Sequence, residues 1–331
     1  MIKPLEVPLN PNPLVSVICL SFNHEKFVLE SLHSVMAQSY PNIELIVVDD
    51  GSKDKSPEII ERFVEDYPQV KFKRLSRNRG NCAAFNAGFR EAKGAYIIDL
   101  AADDKLFPHT ISTQIQAFNS ISTEFGVVFS DAELIDEKSD KIGNFYKRNH
   151  KGKLIAEVPS GEIYRQLIRK MVICSPTMMM RKKVLDELGG YDESLSYEDY
   201  DFWVRSGRNY KYHFIDEVLV QKRVISNSST SHFYQKKNNR HLHSTLRVCY
   251  KAFDLNKTKT ENQALAVSIR YHMKLSLFTE NFPLVIKFFK LLKQTDKLKI
   301  SDRIILFLGR MRFPANGPYR IYFRLKYGKR I

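Results

Sequence analysis

The sequence predicts an α/β protein with a doubly wound, mostly parallel sheet flanked by helices, followed by a mainly helical C-terminal extension. Over the first 130 residues, apolar runs rich in β-branched residues alternate with helical patterns, which is typical of parallel sheets. Several runs are nearly continuously apolar, as expected for strands covered on both faces. Beyond His232 the apolar spacing is mainly helical.

The predicted elements follow in order along the chain. The strands are VSVICL (15–20), IELIVV (43–48), VKFKRL (70–75), AYIIDL (95–100) and GVVFS (126–130). Helical spacing covers 28–36 and 59–64, and Ser56-Pro57 is the predicted N-cap and first position of the second helix. A short strand is expected around TMMMR (177–181), then a helix around KVLDEL (183–188) that ends at Gly189.

Composition excludes several classes of protein. The chain has 331 residues, 43% hydrophobic and 27% charged, which is typical of a globular protein. No apolar stretch approaches the length of a membrane span, and the start MIKPLEVPLNPNPL does not have the pattern of a signal peptide. The four cysteines form no C-x-x-C pair, so we expect reduced thiols, a cytoplasmic location and no zinc site.

The positive charge is concentrated at the C-terminal end. The net charge is +15, and residues 281–331 carry 13 Lys and Arg against Asp296 and Asp302, a net of +11 that leaves +4 for the first 280 residues. The segments 282–293 (FPLVIKFFKLLK) and 302–313 (DRIILFLGRMRF) set apolar side chains among these cations. They are predicted to attach the chain to an anionic membrane surface; the alternative is that they pack on the rest of the chain.

Polar segments follow three of the predicted strands. They are SFNHE, DDGSKD and AADDKLFP, and ligands of doubly wound sheets bind at these strand ends. The first lacks the G-x-G-x-x-G pattern, which disfavours NAD and FAD, and the chain has no Walker A, H-E-x-x-H or G-x-S-x-G motif. Asp103 and Asp104 stand side by side after the fourth strand, so a cation is expected to compensate their repulsion.

Four blocks of this sequence resemble family 2 glycosyltransferases, an inverting group with the GT-A fold. The blocks are 15–60, NRGNCAAFNAGFREAKGAYI, DDKLFP and LGGYDESLSYEDYDFWVR, and the similarity spans roughly residues 14–230. The resemblance implies a catalytic domain at 1–231, with a nucleotide-sugar-binding half (14–130) and an acceptor-binding half (131–231). A helical, basic region is expected at 232–331.

The resemblance also implies roles for residues that contact the nucleotide. Asp50 matches the family residue that accepts a hydrogen bond from uracil, and Asp49 is expected to orient its loop. The other residues expected around the nucleotide are Ser21, Phe22, Asn23, Asn78, Arg79 and Gly80.

A divalent cation, Mn²⁺ or Mg²⁺, is implied in the same way. Asp104 is the expected direct ligand, and Asp103 is expected to contact the ribose or the water shell of the metal. Two positions depart from the family pattern: Ala101 replaces the first carboxylate of D-x-D-D, and Ile225 stands where a His often follows a Tyr-Arg pair. Asp99 is the candidate replacement for the missing carboxylate, although it could instead be paired with a buried base. His232 is the candidate replacement for the missing His.

The segment YEDYD supplies the remaining chemistry that the resemblance implies. Asp199 matches the family's general base, and Glu198 is expected to orient it or to contact an acceptor hydroxyl. Asp201 is expected to be structural. Trp203 could stack on a sugar, although core packing is the preferred interpretation.

The predicted function is transfer of a single hexosyl or N-acetylhexosaminyl unit from a nucleotide-sugar, with a UDP-sugar preferred. The acceptor would be a glycan or lipid-linked intermediate of cell-surface polysaccharide at the inner face of the cell membrane. The chain lacks the Q/R-x-x-R-W motif of processive synthases, so transfer of a single unit is preferred.

Two other functions fit the sequence less well. A nucleotidyltransferase would need a Gly- and Arg-rich loop after the first strand, and the segment LSFNHE there is not such a loop. A nucleic-acid-binding protein would explain the basic tail but not the acidic strand ends, so no nucleic acid partner is predicted.

Overall fold

The computed structural model of the chain describes residues 12–225 and 233–327, with side chains described as far as residue 321. The strands are β1 (Val15–Ser21), β2 (Ile43–Asp49), β3 (Lys71–Arg74), β4 (Tyr96–Ala101), β5 (Lys105–Leu106), β6 (Phe125–Ile135), β7 (Lys141–Asn144), β8 (Met179–Arg181) and β9 (Lys211–Arg223). The helices are α1 (Val28–Met36), α2 (Ser56–Asp66), α3 (Asn81–Phe89), α4 (Thr110–Ser120), α5 (Tyr164–Arg169), α6 (Lys182–Leu188), α7 (Asp199–Ser206), α8 (Arg240–Leu255), α9 (Lys259–Phe278), α10 (Phe282–Thr295), α11 (Ile300–Arg310) and α12 (Asn316–Tyr327). Of the helices in these ranges, none combines the length and the apolar character that crossing a bilayer requires.

The strands form one mixed sheet in the order β3-β2-β1-β4-β8-β6-β9-β5, with β7 beside β6. The half that contains β1 to β4 is parallel throughout. The short strand β8 runs antiparallel between β4 and β6 and joins this half to a second one, in which β6 and β9 are parallel. The predicted α/β class is therefore confirmed, and a three-residue antiparallel strand connects its two halves.

Both faces of the parallel half are covered, as the continuous apolar runs predict. All seven residues of β1 are buried. Alternate side chains of the central strands separate into two buried clusters, one that includes Ile18, Ile46 and Ile97 and one that includes Val17, Val47 and Ile98. Helix α3 lies so close to the first cluster that a Cβ on Gly88 would stand 2.7 Å from Ile18 Cγ2. Glycine at this position therefore allows α3 to approach the sheet.

The start of α2 differs from the prediction by one residue. Ser56 is the first helical residue rather than the N-cap, and Pro57 follows it. Lys55 is the N-cap, and the residue before it, Asp54, binds the first helical residue: its Oδ1 atom accepts hydrogen bonds from the Ser56 backbone N–H at 3.0 Å and from the Ser56 hydroxyl at 2.6 Å. The Ser56 hydroxyl oxygen in turn accepts from the His24 backbone N–H at 2.9 Å. Ser56 thus connects α2 to the β1–α1 loop.

Helices α8 to α12 confirm the predicted helical C-terminal region. They pack on the α/β part through contacts of α8 with α7 and of α9 with α5. The apolar face of α10 is buried, including Val285 and Phe288, so segment 282–293 packs on the protein. The expected boundary at 231/232 falls outside the described residues, and the expected division at 130/131 lies within β6. The domain limits stay predictions.

Arg270 of α9 binds two acidic residues of the C-terminal region. Its Nη1 atom lies 2.9 Å from Asp296 Oδ2, and its Nε atom lies 3.1 Å from Asp302 Oδ2. The side chain of Asp302 is only 1% exposed. The ion pair therefore neutralises a charge that water cannot reach, and it ties α9 to α11.

We expect Arg270→Met to lower the free energy of unfolding by about 3–5 kcal/mol, because it leaves a buried carboxylate without its cation. Chemical denaturation followed by circular dichroism measures this loss. Arg74→Met is the matched control, since Arg74 and Glu61 form an ion pair of 3.4 Å with both side chains about half exposed. That change should cost at most about 1 kcal/mol. Equal losses in the two variants would contradict the role given to Arg270.

Candidate active site

The polar residues predicted from the strand ends meet at one edge of the sheet. Ser21 ends β1, Asp49 ends β2, and the Asp103–Asp104 pair follows β4. Strands β2, β1 and β4 are neighbours and run parallel, so their carboxyl ends lie side by side. The parallel sheet thus brings together three loops that are far apart in sequence.

Asp50 holds the loop that precedes α3. Its Oδ1 atom accepts from the Arg79 backbone N–H at 2.7 Å, and its Oδ2 atom accepts from the Gly80 backbone N–H at 2.9 Å. Burial raises the pKa of Asp50 despite these two bonds. Asp49 accepts hydrogen bonds from the backbone N–H and the hydroxyl of Ser52, so it orients its own loop, as predicted.

A cleft of about 400 Å³ opens beside these loops. It is lined by Phe22, Gly51, Ser52, Lys53, Arg74, Leu75, Ser76, Arg77 and Asn78. Gly51 has φ +72°, and a Cβ there would stand 2.6 Å from the Arg77 carbonyl carbon. Glycine therefore allows the two walls of the cleft to approach. The cleft brings together Phe22 and Asn78, two of the residues predicted to contact the nucleotide.

The three residues at the turn after β1, Ser21, Phe22 and Asn23, differ in exposure and in hydrogen bonding. Ser21 is 1% exposed, and its hydroxyl has no hydrogen-bond partner within the described ranges. Phe22 is 39% exposed beside the cleft. Asn23 has φ +57°, and its side-chain oxygen accepts from the Lys53 backbone N–H at 2.8 Å. Asn23 stabilises the turn, and its contact with a nucleotide stays a prediction.

The two members of the Asp103–Asp104 pair differ in exposure: Asp104 is buried and Asp103 is half-buried. Asp104 is 4% exposed, and burial together with the Asp103 carboxylate raises the pKa of Asp104 to about 8. Arg223, at the end of β9, fixes this loop: its backbone N–H donates to Asp104 Oδ1 at 2.8 Å, and its Nε atom donates to the Asp103 carbonyl oxygen at 3.0 Å. The Arg223 guanidinium also pairs with Glu30 at 3.1 Å.

Asp99, one of the two candidate replacements for the missing metal ligands, does not join this pair. The half-buried Asp99 accepts a hydrogen bond from the Tyr191 hydroxyl at 3.1 Å. Burial raises its pKa, with a contribution from Glu198. Asp99 is therefore paired with a phenol rather than with a base. His232 lies outside the described residues. The described residues include no group of three or more His, Cys, Asp or Glu side chains that could hold a metal by themselves.

A second pair of carboxylates lies at the start of α7. Glu198 Oε2 accepts from the Asn81 side-chain amide at 2.6 Å, and burial together with the Asp199 charge raises the pKa of Glu198 to about 7. Asp199 accepts from the Ser175 hydroxyl at 3.0 Å and from the Tyr200 backbone N–H at 2.6 Å. Burial raises the pKa of Asp199 as well, although these bonds oppose the shift. A carboxylate with a raised pKa is suited to accept a proton.

Lys222 is a residue of the site that the sequence interpretation missed. Burial tends to lower its pKa, but the surrounding negative charges, including those of Asp104, Asp199 and Asp103, raise it overall. Lys222 is thus electrostatically coupled to both carboxylate pairs. The available signal was the Lys-Arg pair at 222–223, where the family has a Tyr-Arg pair. Asn81 and Ser175, which orient Glu198 and Asp199, gave no signal in the sequence.

Two neighbours of Asp199 are structural, as expected. Asp201 is 1% exposed and pairs with Arg205 at 2.7 Å and with Lys251 at 2.6 Å. Trp203 is 1% exposed, and its Nε1–H donates to Met178 Sδ at 3.2 Å. Because its ring is buried in the core, Trp203 packs there and does not stack on a sugar.

Comparison with known proteins gives the family of the chain. The model of glycosyl transferase family 2 matches residues 16–189. An uncharacterized glycosyltransferase of Rickettsia prowazekii is 32% identical over 222 residues, which cover 66% of this chain and 67% of the relative. An uncharacterized glycosyltransferase of Methanocaldococcus jannaschii is 32% identical over 216 residues, which cover 64% of this chain and 71% of the relative.

Solved structures share the fold over nearly the whole chain. Staphylococcus aureus TarS 1–349 in complex with UDP-GlcNAc has a TM-score of 0.67 at 17% identity, and the match covers 96% of this chain and 92% of TarS. The mannosyltransferase PcManGT from Pyrobaculum calidifontis, in complex with GDP-Man and Mn²⁺, has a TM-score of 0.58 at 15% identity. That match covers 99% of this chain and 91% of PcManGT. These matches show the GT-A type of fold. The family model, matched over residues 16–189, and the 32% identity to the Rickettsia relative show that the chain belongs to glycosyltransferase family 2.

Proposed function

We propose that this glycosyltransferase transfers one hexosyl or N-acetylhexosaminyl unit, with inversion, from a UDP-sugar to a glycan or lipid-linked acceptor of cell-surface polysaccharide. The observation that carries the proposal is that two pairs of carboxylates are fixed at one edge of the sheet. Asp103–Asp104 follows β4, and Glu198 of the Glu198–Asp199 pair is bound by Asn81, the residue after the Gly80 that Asp50 holds. One pair is suited to the donor diphosphate and its cation. The other pair is suited to the acceptor.

The nucleotide would occupy the cleft beside Phe22 and Asn78. Asp50 remains able to accept a hydrogen bond from the base, because each carboxylate oxygen has a second lone pair beyond those used by Arg79 and Gly80. The buried Ser21 hydroxyl lacks a partner among the described residues and is available to the ligand. UDP-GlcNAc is bound by TarS and GDP-Man by PcManGT, which supports a nucleotide-sugar donor.

The residues present fit a divalent cation. Asp103 and Asp104 offer hard oxygen ligands, and their mutual repulsion favours a cation between them. Two carboxylates are sufficient where substrate phosphates complete the coordination, as is usual for Mg²⁺. Bound Mn²⁺ or Mg²⁺ would neutralise charge on the leaving diphosphate. Asp104 and Asp103 would hold it, and PcManGT was solved with Mn²⁺.

Asp199 would act as the general base. The acceptor oxygen attacks the anomeric carbon as the bond from that carbon to the diphosphate oxygen breaks, and Asp199 takes the proton of the acceptor hydroxyl. Attack from the face opposite the nucleotide inverts the configuration. Glu198 is held by Asn81 and would orient the acceptor. The raised pKa of Asp199 makes it a stronger base than an exposed aspartate.

Lys222 would supply a fixed positive charge that both pairs experience. A permanent cation near Asp104 can contact the diphosphate and share in its neutralisation. The same charge would offset the repulsion between Asp104 and Asp199. Lys222 is thus proposed to bind the donor.

Chelation tests the metal assignment and the proposed reaction together. A panel of UDP-, GDP- and TDP-sugars with Mn²⁺ or Mg²⁺ should give turnover of a UDP-sugar that is lost in EDTA. Asp104→Asn should weaken binding of UDP with Mn²⁺ about 10- to 100-fold in calorimetry, because a charged contact is lost. Asp99→Ala is the comparison and should bind UDP as the wild type does. Full turnover in excess EDTA would refute the metal assignment.

Asp199→Asn separates chemistry from binding. It keeps the shape of the side chain but removes the base, so transfer should fall by about 10²–10⁴-fold while UDP affinity is unchanged. Asp50→Ala should show the opposite pattern: its main effect should be a loss of UDP affinity rather than a slower transfer step. Product formation by chromatography and UDP titration measure the two quantities. Transfer at the wild-type rate by Asp199→Asn would mean that another residue is the base.

The role of Lys222 is measurable without metal. Lys222→Met should weaken UDP binding in EDTA by about tenfold, because one charged contact to phosphate is lost. Lys222→Arg should retain most of the affinity. Lys141→Met, which removes an exposed cation paired with Glu133, is the control and should have no effect. Unchanged UDP affinity in Lys222→Met would exclude Lys222 from the donor site.

A further inference from the structure

Helix α11 carries an apolar stripe on its outer face. Ile300, Ile304, Phe307 and Met311 are 80%, 53%, 62% and 67% exposed. Their spacing of four, three and four residues places them along one side of the helix. We call these four residues the α11 stripe. Phe313 and Ile321, which follow in the chain, are also exposed.

The opposite face of α11 already packs on the protein. Ile305 and Gly309 are buried there, and a Cβ on Gly309 would stand 2.8 Å from Val285 Cγ1 of α10. The helix therefore has its own core face, and the α11 stripe is additional apolar surface. Four large apolar side chains in a row on a surface indicate an interaction site.

The charge around the stripe is positive. Residues 281–331 contain two acids, Asp296 and Asp302, and both pair with Arg270. The acids of this region are thus neutralised within the protein. The cations that remain exposed on and near α11 are Lys297, Lys299, Arg303, Arg310 and Arg312.

We infer that the α11 stripe docks on an anionic lipid bilayer at the inner face of the cell membrane. The apolar side chains would enter the interfacial region while the flanking arginines meet the lipid headgroups. Charge complementarity favours this partner, because the exposed charged side chains of residues 281–321 are all cations, which match an anionic surface. The inference is independent of the proposed reaction, although docking would bring the site close to a lipid-linked acceptor.

Vesicle binding tests this inference with the full chain. The protein should sediment with vesicles of phosphatidylcholine that contain about 30% phosphatidylglycerol, and much less with phosphatidylcholine alone. Ile304→Ser with Phe307→Ser should reduce binding about tenfold or more, because apolar area is lost from the interface. The matched control is Ile142→Ser with Ile155→Ser, since these side chains are 54% and 64% exposed elsewhere.

A charge variant and a fold control complete the experiment. Arg303→Gln with Arg310→Gln should weaken binding several-fold, and salt at about 1 M should release the wild type, because screening then acts within about 3 Å. Unchanged thermal unfolding of the variants shows that the fold is intact. Equal binding to both vesicle types, or equal binding by stripe and control variants, would overturn the inference. Dimers in light scattering that only the stripe variant dissociates would also overturn it, since the face would then join two copies.

Discussion

Repulsion among closely spaced carboxylates is the constraint on which the site depends. Asp103 and Asp104 lie together at one strand end, and Glu198 and Asp199 lie together at a helix start. Burial raises the pKa of Asp104, Glu198 and Asp199, so the folded chain holds these groups where ionisation is costly. Such an arrangement persists only when the surrounding structure fixes it and when cations compensate it.

The scaffold fixes each group from a different part of the chain. Arg223 of β9 holds the Asp103–Asp104 loop through its backbone N–H and its guanidinium. Asn81 of α3 holds Glu198, and Ser175 holds Asp199. Strand β8 joins the halves of the sheet that carry these groups. Because these supports are distant in sequence, the site forms only when both halves of the sheet are assembled.

Local patterns were sufficient to predict much of the fold. The continuous apolar runs predicted β1, β2 and β4, because strands covered on both faces have few polar positions. The polar segments after them were predicted to lie together, since parallel strands end at the same edge, and the family resemblance singled out Asp50 and Asp104 within them. The N-cap of α2 was misplaced by one residue: Lys55 occupies it, and the Ser56 hydroxyl donates to Asp54 instead of capping the helix.

The sequence could not reveal interactions that depend on tertiary contacts. Whether Asp99 faces the metal site or Tyr191 depends on how α7 and its preceding loop pack on the sheet. The role of Lys222 depends on the same packing, because its neighbours come from three separate segments. Both basic apolar segments of the C-terminal region looked alike in sequence. Only the folded chain shows that α10 is buried while α11 leaves its stripe exposed.

The most direct test of the central claim is the position of a cation in a crystal grown with UDP and Mn²⁺. Anomalous scattering locates manganese independently of the protein model. The account predicts a single strong peak about 2.1 Å from a carboxylate oxygen of Asp104 or Asp103, with the diphosphate on its other side. A bound diphosphate with no manganese at these carboxylates, or manganese held at Glu198 and Asp199 instead, would contradict it.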